Sequence, residues 1–413
     1  MDVKRINELY KEVLERIENN HIGCFEGMDT PLFLISTQYP GIWMEHLYDS
    51  VIYAKMFPER LDIALNTVRM FLSYQKPDGQ LPCYIWNKKF FPGKTQEEIT
   101  GYGQIQECVS VGTLFFEVAQ MSGDKELLAE CYESVKAWVK WLRNNRMTTD
   151  RGLIELFCGY DTGHDNSGRF PGLVLKGNYF EHDGIPHNAS EPFPDDPIAP
   201  VLAVDMNCNF YADNGALFRM AEALGLESEA EMHLEAAKSV KEKLFELCFD
   251  KEDGFFYDVD KNGSKIRCRS CTVFHLFLEG VLDPAWDKEL ISEIYVKYLS
   301  NPKEFATPYP FPSVSASDPS FRKHTDRNCW GYFSQGLIAL RTTRWMERYG
   351  FTEDFESLLT KWVEAWTTHY DSIKFGQELD PFTGIPSPSS QWYSSCMLLY
   401  VYAVRRLGLL TTT

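Results

Sequence analysis

The chain has 413 residues, 44% of them hydrophobic, enough apolar material for a large buried core and too much for a disordered chain. Lys and Arg number 41 against 59 Asp and Glu, a net charge of −18 that repels nucleic acid and anionic membrane surfaces. The N-terminal segment is charged and helix-periodic, with no secretory apolar stretch, and no run of about 18 apolar residues marks a membrane span. Eleven scattered cysteines point to reduced thiols and a cytoplasmic location. Cys268 and Cys271 form a CxxC, but no second ligand pair accompanies it, so buried thiols are expected and no metal.

Apolar residues recur at i, i+3, i+4 and i+7 along most of the chain, as in Ala216, Leu217, Met220 and Leu224. In order, the pattern predicts helices over Val3–Ile17, Trp43–Met56, Glu59–Gln75, Gln104–Met121, Lys125–Asn145, Asp205–Leu224, Glu227–Cys248, Thr272–Leu282, Asp287–Leu299, Trp330–Tyr349, Glu353–His369 and Gln391–Leu407. They fall into pairs. One member is rich in aromatic, small and embedded polar residues; its partner is amphipathic and charged. Twelve helices in six such pairs predict an all-α (α/α)6 toroid, one domain over residues 1–413. The absence of a fixed-length repeat argues against a solenoid. Long connections at 23–41, 77–102, 157–204, 301–329 and 370–390 are rich in Trp, Tyr, Asp, Gly and Pro, and such loops are uncommon unless functional. Gathered at one mouth, they would line an aromatic, acidic pocket suited to a sugar.

Two constellations carry chemistry. Cys158-Gly-Tyr-Asp161-Thr-Gly-His164-Asp165-Asn166-Ser167-Gly-Arg169-Phe170 places two acids four residues apart in a Gly-rich loop. A carboxyl held near a like charge is raised toward the range of a general acid, although Asp-Asn-Ser-Gly is also a good turn. Phe375-Gly-Gln377-Glu378-Leu-Asp380-Pro-Phe-Thr383-Gly384 holds Glu378 between Gly and Pro just before the last helix. A lone acid there is ordinarily a cap or a surface group; its pairing with Asp165 raises its interest.

The first loop resembles the G-x-D-N-S/A-x-R signature of clan G glycosidases, a group that includes trehalase, processing α-glucosidase I and mannosylglycerate hydrolase. The second resembles that group's E-N-Y-N-P-x-T-G. Trp43 to Asp49-Ser50 looks like its opening W-x-W-D-S, Gln75-Lys-Pro-Asp78-Gly79 its Q-x-P-D-G, and Asp253 to Asp258, Tyr309 to Ser313 and Cys329-Trp330-Gly331 follow in order. The resemblance implies Asp165 as general acid, Glu378 as general base, inversion, a small α-linked glucoside or mannoside as substrate, and no cofactor. It leaves Trp43, Asp49, Gln106, Asp161, His164, Arg169, Trp330, Gln377 and Trp392 as candidate sugar-binding residues. The departures lie at His164, where the group carries Met, and at Cys329-Trp330-Gly331, which lacks the group's Arg although Arg327 is close. The rival readings are a sugar 2-epimerase working through paired histidines on inner helices, whose patterns His275 and His369 do not match, and a toroid that binds carbohydrate without reacting. His182, His187 and His324 lie in loops, where a lone histidine is ordinarily a hydrogen-bond partner. Asp195-Asp196-Pro reads as a turn.

Overall fold

The computed structural model describes residues 2–411 apart from 37, 38, 40, 106, 165, 166, 175–187 and 322–329. Among these, twelve α-helices follow one another: α1 Val3–Arg16, α2 Leu47–Met56, α3 Leu61–Ser73, α4 Val111–Ser122, α5 Lys125–Asn145, α6 Val204–Leu224, α7 Glu227–Lys243, α8 Val273–Leu278, α9 Lys288–Ile294, α10 Gly336–Arg341, α11 Thr352–His369 and α12 Ser394–Arg406. Local chemistry sets several ends. Ser110 caps α4 by accepting from the Thr113 amide, and Gly123 closes it at φ 68°. Asp124 then accepts from the Glu126 and Leu127 amides to start α5. Gly225 ends α6 in the same left-handed conformation. Extra π-helical turns at Ile17–His21, Leu244–Cys248 and Tyr295–Leu299 extend α1, α7 and α9.

Each expected helix is present in order, with shifted bounds where the chain does other work. α2 starts at Leu47 because Gly41–Trp43 is a strand paired with Tyr84–Trp86. α10 shrinks from the expected Trp330–Tyr349 because Ser334–Gln335 pairs antiparallel with Glu378–Leu379. α12 starts at Ser394 because Trp392 sits at φ 56°, which interrupts a helix.

The helices α2, α4, α6 and α8 touch in sequence, α10 touches α12, and α12 returns to α2. Against this inner series pack α3 on α2, α5 on α4, α7 on α6, and α1 and α11 on α12. One apolar cluster runs through all of them, from Ile6 to Val404. The inner helices are buried almost all round, as α6 and α12 show, whereas α5 and α11 bury one stripe. Among the described residues no helix is long and apolar enough to cross a membrane.

Hydrogen bonds from Ser394 and Ser395 to Asp49 bring the starts of α2 and α12 together. Glu45 and Asp49 lie at the start of α2, Ser110 before α4, Asp205 in the first turn of α6, and Ser394 and Ser395 at the start of α12.

The contact between α10 and the loop before α12 leaves no room for a side chain. A Cβ on Gly336 would stand 2.2 Å from Cys396 Sγ and 3.0 Å from the Gln377 carbonyl oxygen. Gly336→Ala is therefore expected to destabilise the protein by about 1–3 kcal/mol, the range for overpacking. Adding Cys396→Ala should recover part of that loss in a double-mutant cycle read by thermal denaturation. Strict additivity of the two substitutions would show that this contact is not the tight one.

Candidate active site

The Gly-rich loop is held from below by two buried arginines. Arg146, fully buried, donates to both Asp161 oxygens at 2.7 and 3.2 Å, to the Glu155 carbonyl at 3.0 Å and to the Ala189 carbonyl at 2.6 Å. Asp161 also accepts the backbone amides of Ile105, Phe157 and Cys158, at 3.1, 2.8 and 3.1 Å. Arg169 is buried to the same degree. Its Nε and Nη2 donate to Asp258 at 2.8 and 2.9 Å, its Nη1 and Nη2 to Asp205 at 2.7 and 2.9 Å, and its Nη1 to His164 Nδ1 at 2.9 Å. Burial raises the Asp205 carboxyl, but Arg169 more than offsets this and holds it well below the usual range. Asp258 stays raised, its burial outweighing the same guanidinium.

Asp161 and Arg169 were expected to bind sugar. Asp161 already accepts five hydrogen bonds and Arg169 donates all five it can make. These bonds tie both side chains into the protein around the loop. His164, 2% exposed, stacks on Trp330 with ring centroids 4.1 Å apart and planes 24° from parallel. Asp165, Asn166 and Gln106 lie outside the described residues, as do His182, His187, His324, Arg327 and Cys329.

Glu378 is fully buried and sits in a short hairpin. On one side its strand pairs with Ser334–Gln335. On the other, the Ser387 amide donates to the Glu378 carbonyl at 2.8 Å. Asp380 closes the turn, accepting the Phe382 and Thr383 amides at 3.0 and 2.9 Å and the Tyr332 hydroxyl at 2.8 Å. Gly384, at φ 71°, fits because its missing side chain leaves room for the Tyr309 ring. The Glu378 carboxylate accepts from Gln335 Nε2 at 3.5 Å and from the Ser389 hydroxyl at 3.2 Å. Gln377 is buried beside it, its side-chain oxygen unbonded among the described residues.

Asp49 is 2% exposed and accepts the hydroxyls of Ser394 and Ser395. Burial pushes its carboxyl up to about 7. Cys396, next in α12, lies within the field of both Asp49 and Glu378. Trp43, half-buried, heads a ledge of rings: Tyr84 at 4.7 Å, Trp86 a further 4.4 Å on, then Phe91 at 4.8 Å. The Trp392 ring packs on Phe375 and Tyr370 under the Arg16 guanidinium of α1, and its backbone is left-handed at φ 56°. The neighbouring Tyr393 places its hydroxyl 2.6 Å from His46 Nε2.

Several residues at this centre were not anticipated. Glu45 pairs with Arg341 at 3.0 Å and lies against Gly163, where a Cβ would meet its carboxylate at 3.2 Å. Burial raises the Glu45 carboxyl and, with Arg341, lowers the His46 imidazole to about 3. The four-residue spacing from Glu45 to Asp49, one helical turn, was the available signal. Glu107 and Asp213 form a second buried carboxyl pair; burial and its partner raise Glu107, and burial brings Asp213 to about 6. Among the rival's histidines, His275 of α8 contacts Asn209 at 3.2 Å and His369 ends α11 half-buried. Asp196 takes the Val174, Ile198 and Ala199 amides, the turn its sequence implied. Cys268 and Cys271 are buried free thiols.

Residues 49–394 match the family model of the mannosylglycerate hydrolase MGH1-like glycoside hydrolase domain. The chain belongs to that family of glycoside hydrolases. Its fold is similar to that of a mannosylglycerate hydrolase from Thermus thermophilus in complex with glucose, with a TM-score of 0.68 at 19% identity over 96% of this chain and 99% of that one. It is also similar to that of a neutral trehalase from Saccharomyces cerevisiae, with a TM-score of 0.67 at 13% identity over 98% of this chain and 80% of that one. An uncharacterized protein of Borreliella burgdorferi is 34% identical over 83 residues, which take in 20% of this chain and 16% of that protein's length.

The raised carboxyls give the family member a testable pH dependence. A carboxyl raised in the fold favours its protonated form there. Its stabilising contribution is complete below the unfolded value near 4 and fades as pH climbs through about 7. The melting temperature of Asp49→Asn relative to wild type should therefore rise between about pH 5 and pH 8. A difference that is flat or falls over that interval would mean that Asp49 is ionised throughout.

Proposed function

We propose that this chain is an inverting glycoside hydrolase, a single catalytic domain built as a six-hairpin α/α toroid, acting on a small α-linked glucoside or mannoside without a cofactor. Asp165 is the general acid that protonates the leaving oxygen, and Glu378 the general base that takes a proton from the attacking water. The observation that carries this reading is the setting of Glu378. Its backbone is paired on both sides, and its carboxylate accepts from Gln335 and Ser389. A fixed, accepting carboxylate is what a base needs. Asp165 follows His164 directly, on the loop that Arg146 and Arg169 pin in place. The family's name and the glucose-bound relative support the sugar class.

Within this reading, Trp43 and Trp330 offer ring faces to the sugar, and Asp49, Gln106, His164 and Gln377 bind hydroxyls. Asp161 and Arg169 hold the loop that carries the acid. Acid–base catalysis is worth about 10²–10⁴-fold per group. Asp165→Asn and Glu378→Gln should each lower kcat by at least about 10²-fold with the fold intact. A glycosyl fluoride, whose leaving group needs little protonation, should restore part of the Asp165→Asn activity and none of the Glu378→Gln activity. Near-normal turnover in either variant on an ordinary α-glycoside panel would remove that residue from the mechanism.

A further inference from the structure

A guanidinium has five N–H donors and no acceptor. In Arg169 four of them go to Asp205 and Asp258, at 2.7 to 2.9 Å. The fifth, on Nη1, points at His164 Nδ1 at 2.9 Å. Because the arginine can only donate, Nδ1 must present its lone pair, and a neutral imidazole accepting at Nδ1 carries its hydrogen on Nε2. A half-turn of the ring on Trp330 would put Cδ2–H in place of Nδ1 and leave the buried Nη1–H without an acceptor, so the same contact fixes the ring's orientation.

Protonation at Nδ1 is opposed by the same contact. Asp205 Oδ2 is 3.7 Å from Nδ1, near enough to favour a charged imidazole, but Arg169 stands between the two and takes that carboxylate. Burial is the largest influence on the ring, and together with Arg169, His275 and Arg341 it outweighs Asp205 and leaves the imidazole well below its ordinary value. Among the described residues Nε2 has no hydrogen-bond partner, so its N–H is the ring's remaining donor.

We propose that His164 is a locked, neutral Nε2–H donor that selects the substrate by hydrogen-bonding one hydroxyl oxygen of the bound sugar. This rests on the glycosidase reading and deepens it. A donor whose orientation is fixed by its own neighbours discriminates by what the sugar lacks: a sugar without that oxygen leaves a buried N–H unpaired, the stronger kind of rejection. The donor also stays unchanged across the pH range in which a carboxyl acid and base titrate, so specificity does not drift as the pair changes state. The group to which this chain is similar carries Met at this position, so the contact would separate this chain's sugar preference from its relatives'.

The test joins spectroscopy to substrate analogues. In the intact protein labelled with ¹⁵N-histidine, with the His164 resonances assigned by comparison with His164→Phe, the ring is expected as the neutral Nε2–H form from about pH 5 to pH 8. A Nδ1–H or doubly protonated ring would overturn the proposal without touching the glycosidase reading. Methyl α-glucoside or methyl α-mannoside added to labelled Glu378→Gln protein should shift the Nε2–H resonance. Binding seen by tryptophan fluorescence with no such shift would also overturn it, whereas no binding and no hydrolysis of any α-glycoside would overturn the glycosidase reading as well. In kinetics, one monodeoxy analogue of the accepted sugar should lose about 5–10-fold in kcat/KM with wild type. The same analogue should lose almost nothing with His164→Phe, which keeps the stack on Trp330, and should regain discrimination with His164→Gln, which restores an N–H donor. A uniform loss across all analogues in both variants would assign His164 a packing role only.

Discussion

A guanidinium buried away from water must find five acceptors, and Arg169 finds them on three separate stretches of chain. Asp205 comes from the first turn of α6, Asp258 from the short strand Asp258–Val259, and His164 from the Gly-rich loop. These segments lie 41 to 94 residues apart in sequence, and no apolar contact would fix their relative positions as tightly as a planar fork does. Removing one member leaves a charge without its partner, which costs about 3–5 kcal/mol in buried ion pairs. Arg146 repeats the device on the other flank of the same loop, clamping Asp161. Asp161 and His164 of the Gly-rich loop are thus each held by a buried guanidinium.

The remaining acids are arranged by the helices. Glu45 and Asp49 sit at the start of α2, Asp205 at the start of α6, and Asp213 accepts the Gly112 amide at the start of α4. N-terminal helix ends stabilise negative charge, which favours carboxyls at these positions. Burial pulls the other way, raising Asp49 to about 7 and Asp213 to about 6. Glu378 differs in its support, since it comes from a hairpin rather than a helix end and its donors are a side-chain amide and a hydroxyl. A site holding acids in unlike environments is the general means of assigning unlike proton roles to one residue type.

Much of this was legible in the sequence. The helix pattern yielded twelve elements in the right order because inner helices such as α6 and outer ones such as α5 bury such different amounts of surface. The hairpin of Glu378 was legible as a rigid loop from Asp380-Pro and Gly384, although its pairing with Ser334–Gln335 was not, and α10 was read too long for that reason. Residue type shows what a side chain can do but not whether its bonds are already taken. Arg169 and Asp161 have the chemistry of sugar ligands, and only the coordinates show them saturated. Trp392 and Tyr393 are adjacent aromatics, and only the coordinates show the first under Arg16 and the second at His46. Glu45 escaped because Asp49-Ser50 matched the familiar opening pattern better.

The central claim is that a fixed Glu378 activates water against a sugar whose leaving oxygen is protonated from the opposite loop. Its most direct test is the configuration of the first-formed sugar, followed by proton NMR during the earliest turnover of an α-glycoside. The account predicts the β-anomer first, with the α-anomer appearing only as mutarotation proceeds. An α-anomer released first would mean two displacements, with a carboxylate acting as nucleophile, and would contradict the role assigned to Glu378.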